Sequence, residues 1–259
     1  MSAMPGVVAI NTFREAVRDR VLYNLVFFAF LMIGAAILVG QISIGIERLV
    51  IVNLGLSAIS IFGLVMAIFI GVGLVSKEIE KRTLYSLLAK PIRRSEFIVG
   101  KFAGLLLTLA VNTAVMAVGV IVALMYVGHP YMPYAKESII AIYFILLSLA
   151  LVTVIALFFS CFSSPILSML FTLGIYVTGI FAGDIRGFGQ ISHNRVIEAM
   201  TTILYYLVPN FHNFNAIAVA SHGQLISFTQ VWQNTLYAAV YVSIVLIASS
   251  AVFSRRNLK

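Results

Sequence analysis

The four histidines are the residues of this sequence best suited to metal chemistry. They are His129, His193, His212 and His222, and all lie in polar stretches between long apolar runs, with Met132 close to the first. Imidazole and thioether groups are good ligands for copper. Because no His-Glu-x-x-His or other tight ligand spacing joins them, we expect ordinary polar residues and no metal site, with a copper relay as the alternative.

Nucleotide hydrolysis requires a loop of the form Gly-x-x-x-x-Gly-Lys-Ser/Thr, whose amides hold the phosphates and whose hydroxyl holds magnesium. Gly100-Lys101 is the one Gly-Lys pair, but Ser95 stands where the first glycine belongs and Phe102 follows the lysine. The pair is therefore a chance dipeptide. If ATP drives this protein, a separate polypeptide must bind ATP and Mg²⁺ and hydrolyse the nucleotide, and no cofactor is expected in this chain.

Other catalytic groups are sparse. A membrane-embedded enzyme needs acids or histidines clustered in one water layer, and only Asp184, His193 and Glu198 are close enough in sequence to form such a cluster. The single cysteine, Cys161, allows no intrachain disulfide and suits a small buried side chain. We predict no catalytic residue, with a membrane-embedded enzyme as an alternative.

The elements that must position these residues are membrane helices. Of 259 residues, 61% are hydrophobic and 10% are charged, and the mean hydropathy is +1.06. Soluble domains are only about 45–50% apolar, and a run of about 20 apolar residues spans a bilayer as a helix. The sequence predicts an all-α integral membrane protein, a single domain with six transmembrane helices at 21–39, 49–75, 102–127, 139–159, 166–182 and 231–253.

The basic residues indicate how these helices are oriented. Thirteen of the 17 lysines and arginines precede the first span, separate the second from the third, or follow the sixth. The other four are Arg48, Lys136, Arg186 and Arg195. Because cytoplasmic loops carry an excess of positive charge, both termini are predicted in the cytoplasm. The charge lies between apolar runs and forms no stripe, so lipid is the expected partner and nucleic acid is not.

The predicted spans hold only neutral polar side chains. Examples are Asn53, Asn112, Thr113, Ser148, Thr153 and Tyr176. Ion-coupled transporters generally carry charged or titratable side chains within the membrane. Any pumping energy is therefore expected to come from outside the membrane. Asn53 and Asn112 suit hydrogen bonds between helices, and binding of each other or of substrate is the alternative.

Residues 5–20 are predicted as an amphipathic helix on the cytoplasmic surface. Its apolar residues, which recur every three or four positions, are Val7, Ile10, Phe13, Val17 and Val21. Polar residues such as Asn11, Arg14 and Arg18 fill the other face. This pattern is typical of a helix that lies in the membrane interface, and a simple extension of the first span is the alternative.

The cytoplasmic segment 76–101, between the second and third spans, is the best candidate for binding a partner protein. Leu84, Leu87 and Leu88 fall at i, i+3 and i+4 on a short helix that Pro91 ends or kinks. Such an apolar group fits a groove on another protein. The charges around it are Glu78, Glu80, Lys81, Arg82 and Arg94. They suit a partner, water or anionic lipid, so the residues alone leave docking and solvation open.

This segment resembles a loop of the ABC-2 type permeases that has the pattern Glu-x-Glu-x-Gly-Thr-Leu-x-x-Leu-Leu-x-x-Pro-x-x-Arg, followed by Gly-Lys. The matching residues are Glu78, Glu80, Thr83, Leu84, Leu87, Leu88, Pro91, Arg94, Gly100 and Lys101. Arg82 departs from the pattern, because the family usually has glycine there, and it leaves the approach of a partner at that point open.

The resemblance extends over essentially the whole chain. It includes Phe13-Arg14-Glu15, the turn from Ser160 to Pro165, the stretch from Pro209-Asn210 to Phe214-Asn215, and the closing Phe253-Ser-Arg-Arg-Asn. Each of these matches is loose alone, and together they are specific. Within the family, the chain most resembles the permease of nitrous oxide reductase maturation.

The resemblance implies a permease subunit of an ABC transporter, an exporter, in the bacterial inner membrane. Two permease subunits, identical or closely related, pair with two cytoplasmic ATPase subunits. A coupling helix in the segment 76–101 contacts the ATPase, and the turn Ser163-Ser164-Pro165 makes a second, smaller contact. The coupling residues are Glu78, Glu80, Arg82, Thr83, Leu84, Leu87, Leu88, Pro91, Arg94 and Lys101. A non-transporting scaffold or assembly subunit is the alternative.

Residues 183–230 are predicted on the outer side as an interfacial or re-entrant region. One helical face there carries Val196, Ile197, Met200, Ile203, Leu204, Leu207 and Val208, and Pro209 ends it. This helix is too short, and too polar on its other face, to span the membrane. By the resemblance it corresponds to short extracellular helices that cap the transport pathway. We expect an outer gate at Val196, Met200, Leu204, Pro209 and Asn210, with a passive anchor as the alternative.

Overall fold

The computed structural model describes residues 4–18, 27–28, 30–32, 34–35, 37–38, 45–80, 94–126, 135–192 and 194–255, and every regular element in these ranges is helical. The helices are α1 (Met4–Arg18), α2 (Glu47–Glu80), α3 (Arg94–Tyr126), α4 (Ala135–Ser160), α5 (Pro165–Ile180), α6 (Ala182–Ile191), α7 (Arg195–Leu207), α8 (Ile217–Ser221) and α9 (Phe228–Arg255), with a 3₁₀ helix (Phe211–Phe214) between α7 and α8. The all-helical fold predicted from the composition is thus confirmed.

Four of these helices, α2, α3, α4 and α9, are long and apolar enough to cross a membrane. Together α5 and α6 form a fifth candidate that is bent by 59° at the break between them. The predicted first span, 21–39, lies partly outside the described residues, but those described within it are helical, and Phe28 and Met32 are buried. A multi-pass membrane fold is supported, and the number of six spans stays a prediction.

Helices α2 and α3 extend beyond the predicted spans on both sides of the segment 76–101. Helix α2 continues to Glu80, and α3 already begins at Arg94. The stretches 76–80 and 94–101 are therefore helical. Neither proline nor glycine interrupts the sequence between Val75 and Glu80, and lysine and glutamate are good helix formers, so nothing in this stretch breaks the helix.

Helix α1 packs along the beginning of α3. Val8 and Thr12 are buried in this contact. A β-carbon added to Gly104 would lie 2.5 Å from the carbonyl oxygen of Ala9 and 2.7 Å from Cβ of Thr12, so glycine is what permits the close approach. The predicted helix 5–20 is thus present at Met4–Arg18, and α3 covers its buried face.

The centre of the bundle is α4, the most deeply buried of the candidate spans, whereas α9 is the most exposed. Helices α2 and α4 run parallel, because Gly63 lies beside Leu149 and Gly71 beside Ala156. The carboxyl end of α4 therefore lies at the same end of the bundle as the carboxyl end of α2. This relation places the turn after Ser160 at the end of the bundle where α2 ends.

Candidate functional site

The segment from Val208 to Ser221 folds back into the helix bundle after α7. Its buried residues are Val208, Pro209, Asn210, Phe211, Phe214, Ala216, Ala220 and Ser221. The ring of Phe211 lies 4.9 Å from that of Tyr176 on α5, and the ring of Phe214 lies 6.4 Å from that of Phe144 on α4. We call residues 208–221 the re-entrant segment.

Hydrogen bonds to α9 hold the re-entrant segment in place. The backbone amide of Asn210 donates to the hydroxyl of Tyr237 at 3.0 Å, and Nδ2 of Asn234 donates to the carbonyl oxygen of Asn213 at 2.8 Å. Oδ1 of Asn210 accepts from the amide of His212 at 3.1 Å, which begins the 3₁₀ helix. These bonds pair polar backbone groups that would otherwise be costly to bury.

The position of Tyr237 shows how deep the re-entrant segment reaches. Tyr237 follows Phe228, the first residue of α9, by two and a half turns, or about 14 Å along the helix at a rise of about 1.5 Å per residue. The contact between Asn210 and Tyr237 therefore lies well inside α9 and not at its first turn. Non-helical backbone at this depth is tolerated where protein buries it or where it lines a cavity.

Such a cavity, of about 100 Å³, lies beneath the 3₁₀ helix. Its polar lining consists of Ser60 on α2, Ser148 on α4, Tyr176 on α5, and His212 and Asn215 on the re-entrant segment. The apolar lining is Ile145, Ile180, Phe211, Phe214 and Ile217. The hydroxyl of Tyr176 lies near the side chain of Ser60. The space suffices for several water molecules or one small solute.

The predicted outer-gate residues lie in two places. Pro209 and Asn210 are buried in the re-entrant segment and Leu204 is half-buried, whereas the side chains of Val196 and Met200 are each 66% exposed on α7. Helix α7 packs on α6, where the guanidinium of Arg186 lies 4.7 Å from the ring centre of Tyr205. Only Pro209 and Asn210 therefore lie next to cavity-lining residues.

The predicted ATPase-coupling residues are described only at the ends of their segment. Glu78 and Glu80 lie in the last turn of α2, and Arg94 begins α3. Those outside the described residues are Arg82, Thr83, Leu84, Leu87, Leu88 and Pro91. Lys101 is only 3% exposed, and its Nζ lies 3.8 Å from Oε2 of Glu15 on α1. Among the described coupling residues, Lys101 is thus at the contact between α1 and α3.

The turn at Ser163, Ser164 and Pro165 connects α4 to α5. The amide of Ser163 donates to the carbonyl oxygen of Phe159 at 2.9 Å, and Pro165 starts α5 at a position where a missing amide hydrogen costs nothing. Ser164 is exposed. Its position at the end of the bundle where α2 ends makes it accessible to anything that binds there.

The histidines do not come together in the described residues. His212 lines the cavity, His222 follows α8, and His129 and His193 lie outside the described part of the chain. Within that part, no group of three or more histidine, cysteine, aspartate or glutamate side chains is placed to hold a metal ion.

Two of the neutral polar residues noted within the spans, Ser148 and Tyr176, line the cavity. Three of the other four have different partners. Nδ2 of Asn112 donates to the Thr108 carbonyl oxygen, the Thr153 hydroxyl donates to the Leu149 carbonyl oxygen, and Nδ2 of Asn53 donates to Oγ of Ser221 at 3.5 Å. Sequence reasoning did not single out Ser60 or assign Asn215 to a site. In the sequence, the only indication of either residue was that its polar side chain lies within or next to an apolar run.

Comparison with known proteins identifies the family. A search of curated proteins gives no match. The model of a family described as ABC-2 family transporter protein matches residues 7–258. This match covers nearly the whole chain, including every element that lines the cavity and both helices that flank the segment 76–101. The chain therefore belongs to the ABC-2 family of transporter proteins.

Proposed function

We propose that this ABC transporter permease subunit is an exporter driven by a separate cytoplasmic ATPase subunit. The observation that carries the proposal is the polar cavity beside Ser148, halfway along α4, beneath a segment that closes one end of the bundle. None of the described residues that line it is acidic, lysine or arginine, and the one imidazole among them, His212, is exposed at the mouth of the cavity. A transporter that uses an ion gradient generally carries such a group in its pathway, so the lining favours energy supplied from outside the membrane.

The continuity of α2 and α3 supports the proposal that the segment 76–101 couples the ATPase to the membrane domain. Both helices run without a break from the membrane region into this segment. A force applied between Glu80 and Arg94 would therefore act directly on two spans, and on α1 through its contact with α3. We propose that the loop leucines Leu84, Leu87 and Leu88 bind in a groove of the ATPase, with Ser163, Ser164 and Pro165 as the second contact.

We propose that the re-entrant segment is the outer gate, with Pro209 and Asn210 at its buried end and α7, which carries Val196, Met200 and Leu204, on its outer side. A gate must leave its closed position, and the re-entrant segment is held by few hydrogen bonds and by ring contacts that can be broken together. Its partners lie on α2, α4, α5 and α9, so a relative movement among these helices would release it.

We further propose that two copies of this chain, or this chain and a close relative, assemble in the bacterial inner membrane with both termini in the cytoplasm. Family membership supports this arrangement. Within the family, we propose the permease of nitrous oxide reductase maturation as the nearest relative, on the overall resemblance of the sequence.

Co-purification tests the partnership. The chain is expected to bring down an ATPase, and the double variant Leu87→Asp/Leu88→Asp is expected to lose it, because charged side chains do not enter an apolar groove. Leu225→Asp is the matched control, since Leu225 is 85% exposed before α9. If the wild-type chain brings down no ATPase, the scaffold alternative is favoured; if the loop variant retains it, the loop is not the contact.

A cysteine pair tests the gate. In a Cys161→Ala background, Asn53→Cys on α2 and Ser221→Cys in the re-entrant segment replace two side chains that are now in contact, with Nδ2 of Asn53 3.5 Å from Oγ of Ser221. Oxidation is expected to abolish complementation of a strain that lacks the gene, and reduction to restore it, while each single variant stays functional. A cross-linked protein that still complements would show that the re-entrant segment does not move during transport.

A further inference from the structure

The cavity beneath the re-entrant segment has the lining of a ligand-binding site. Five polar side chains converge on it from four parts of the sequence: Ser60, Ser148, Tyr176, His212 and Asn215. Apolar groups surround them, so each polar group at this depth carries a cost unless it is hydrogen-bonded. The hydroxyls of Tyr176 and Ser60 lie close enough to satisfy part of this need in each other. A solute or water must satisfy the remainder.

The chemistry of the lining restricts the solute. Hydroxyl and carboxamide groups both donate and accept hydrogen bonds, so the lining complements a group that does the same, such as an alcohol or an amide. A charged solute needs an opposite charge at this depth. None of the described lining residues has a carboxylate, an ammonium or a guanidinium group. The isoleucines and phenylalanines on the other walls leave room for a short hydrocarbon portion.

We propose that this cavity binds a small, uncharged solute that carries a hydroxyl or amide group, with Tyr176 and Ser148 as the hydrogen-bonding residues on opposite helices. His212 and Asn215 lie at its mouth, where both residues are exposed. This binding site would be formed by the chain alone and needs no ATPase. A negative co-purification result would therefore not count against the binding site, and a negative labelling result would not count against the ATPase partnership.

Thiol labelling with size-matched reagents tests the site. Cys161, the single cysteine, is buried and is replaced by alanine, and Ser148→Cys is then introduced into the full chain in lipid nanodiscs. Four methanethiosulfonates of similar size are compared by intact mass spectrometry: hydroxyethyl, propyl, carboxymethyl and aminoethyl. Each rate is divided by the rate of the same reagent with the exposed control Leu225→Cys.

The hydroxyethyl reagent is expected to react faster than the propyl reagent by about three- to tenfold, the factor that one net hydrogen bond gives. Both charged reagents are expected to be slower still. When Tyr176→Phe is added, the hydroxyethyl and propyl reagents should react at equal rates, and both charged reagents should remain slower. Thr153→Cys, fully buried on the same helix, should react with none of the four.

The proposal is overturned if the charged reagents match the hydroxyethyl rate, if hydroxyethyl and propyl do not differ, or if Ser148→Cys is as unreactive as Thr153→Cys. Should Ser148→Cys fail to fold, as judged by size-exclusion chromatography, Asn215→Cys at the mouth of the cavity takes its place in the same comparison, with the same expected order and the same overturning results.

Discussion

Gly179 and Pro209 are in a contact that leaves no room for a β-carbon on Gly179. Such an atom would overlap the carbonyl oxygen of Pro209 and lie 2.6 Å from Cδ2 of Phe211. One of these neighbours is backbone and cannot rotate away. The absence of a side chain at Gly179 is therefore what allows the re-entrant segment to lie against α5.

Gly179→Ala is expected to loosen the re-entrant segment by about 1–3 kcal/mol, the usual cost of forcing atoms into a packed site. Gly174→Ala is the matched control on the same helix, because nothing lies within 4 Å of a β-carbon there. The control should be neutral or gain about 0.5–1 kcal/mol from the better helix former. Limited proteolysis within 208–221 measures the difference, and equal cleavage of the two variants contradicts the contact.

Tyr237→Phe is expected to leave the Asn210 amide without its acceptor. The bond is 3.0 Å long and Asn210 is buried, so the loss should cost about 1–3 kcal/mol. Hydrogen–deuterium exchange at the Asn210 amide should become faster. Tyr241→Phe is the comparison, because its hydroxyl bond to Leu207 lies at an exposed position; faster exchange at Asn210 in that variant too would point to a general loosening of α9.

Glu15 and Lys101 are expected to be energetically coupled. Their charged groups are 3.8 Å apart, with Lys101 buried and Glu15 half-exposed. A double-mutant cycle with Glu15→Gln and Lys101→Met, followed by thermal unfolding in detergent, should give a coupling of about 1 kcal/mol, at the upper end for exposed ion pairs. Additive effects would show that the pair contributes nothing to the contact between α1 and α3.

Gly104→Ala is expected to push α1 away from α3, because the new methyl group would meet the Ala9 carbonyl oxygen. The cost should again be about 1–3 kcal/mol. Gly6→Ala, on α1 itself, has open space around its β-carbon and serves as the control. Cross-linking between cysteines on the two helices would report the change, and undiminished cross-linking in Gly104→Ala would contradict it.

The proposed orientation predicts which loops a membrane-impermeant maleimide reaches in intact cells. In the Cys161→Ala background, Leu225→Cys should be labelled at once, because Leu225 is 85% exposed and the proposed orientation places it outside the cell. Ser164→Cys, in the exposed turn between α4 and α5, should be labelled only after the membrane is opened. The reverse pattern would place both termini outside the cytoplasm and remove the ATPase contact at residues 76–101.

Much of the helical framework was predictable because it follows from local properties of the sequence. Apolar runs located α4 and α5 to within a few residues, and Pro165 and Pro209 marked a helix start and a helix stop that the structure contains. The helix ends that lie outside the apolar runs were less predictable. The beginning of α3 extends to Arg94 because it packs against α1, and hydropathy carries no information on that contact.

The cavity was not predictable because its parts are distant in sequence. Ser60, Ser148, Tyr176 and His212 belong to separate elements, and only tertiary packing shows that they share one space. The polar residues within the spans were visible, but Asn112 and Thr153 bond to their own helices while Ser148 and Tyr176 face the cavity. Sequence alone does not distinguish these two uses of a polar side chain.

Helix α2 is one unbroken rod of 34 residues, about 51 Å long at a rise of about 1.5 Å per residue. The hydrocarbon layer is about 30 Å thick, so some 20 Å of the rod stands outside it. A tilt of about 10° around its midpoint would sweep each tip through about 4 Å, more than the length of a hydrogen bond. A small change of angle at the protein's centre thus becomes a displacement large enough for another molecule to detect at its edge.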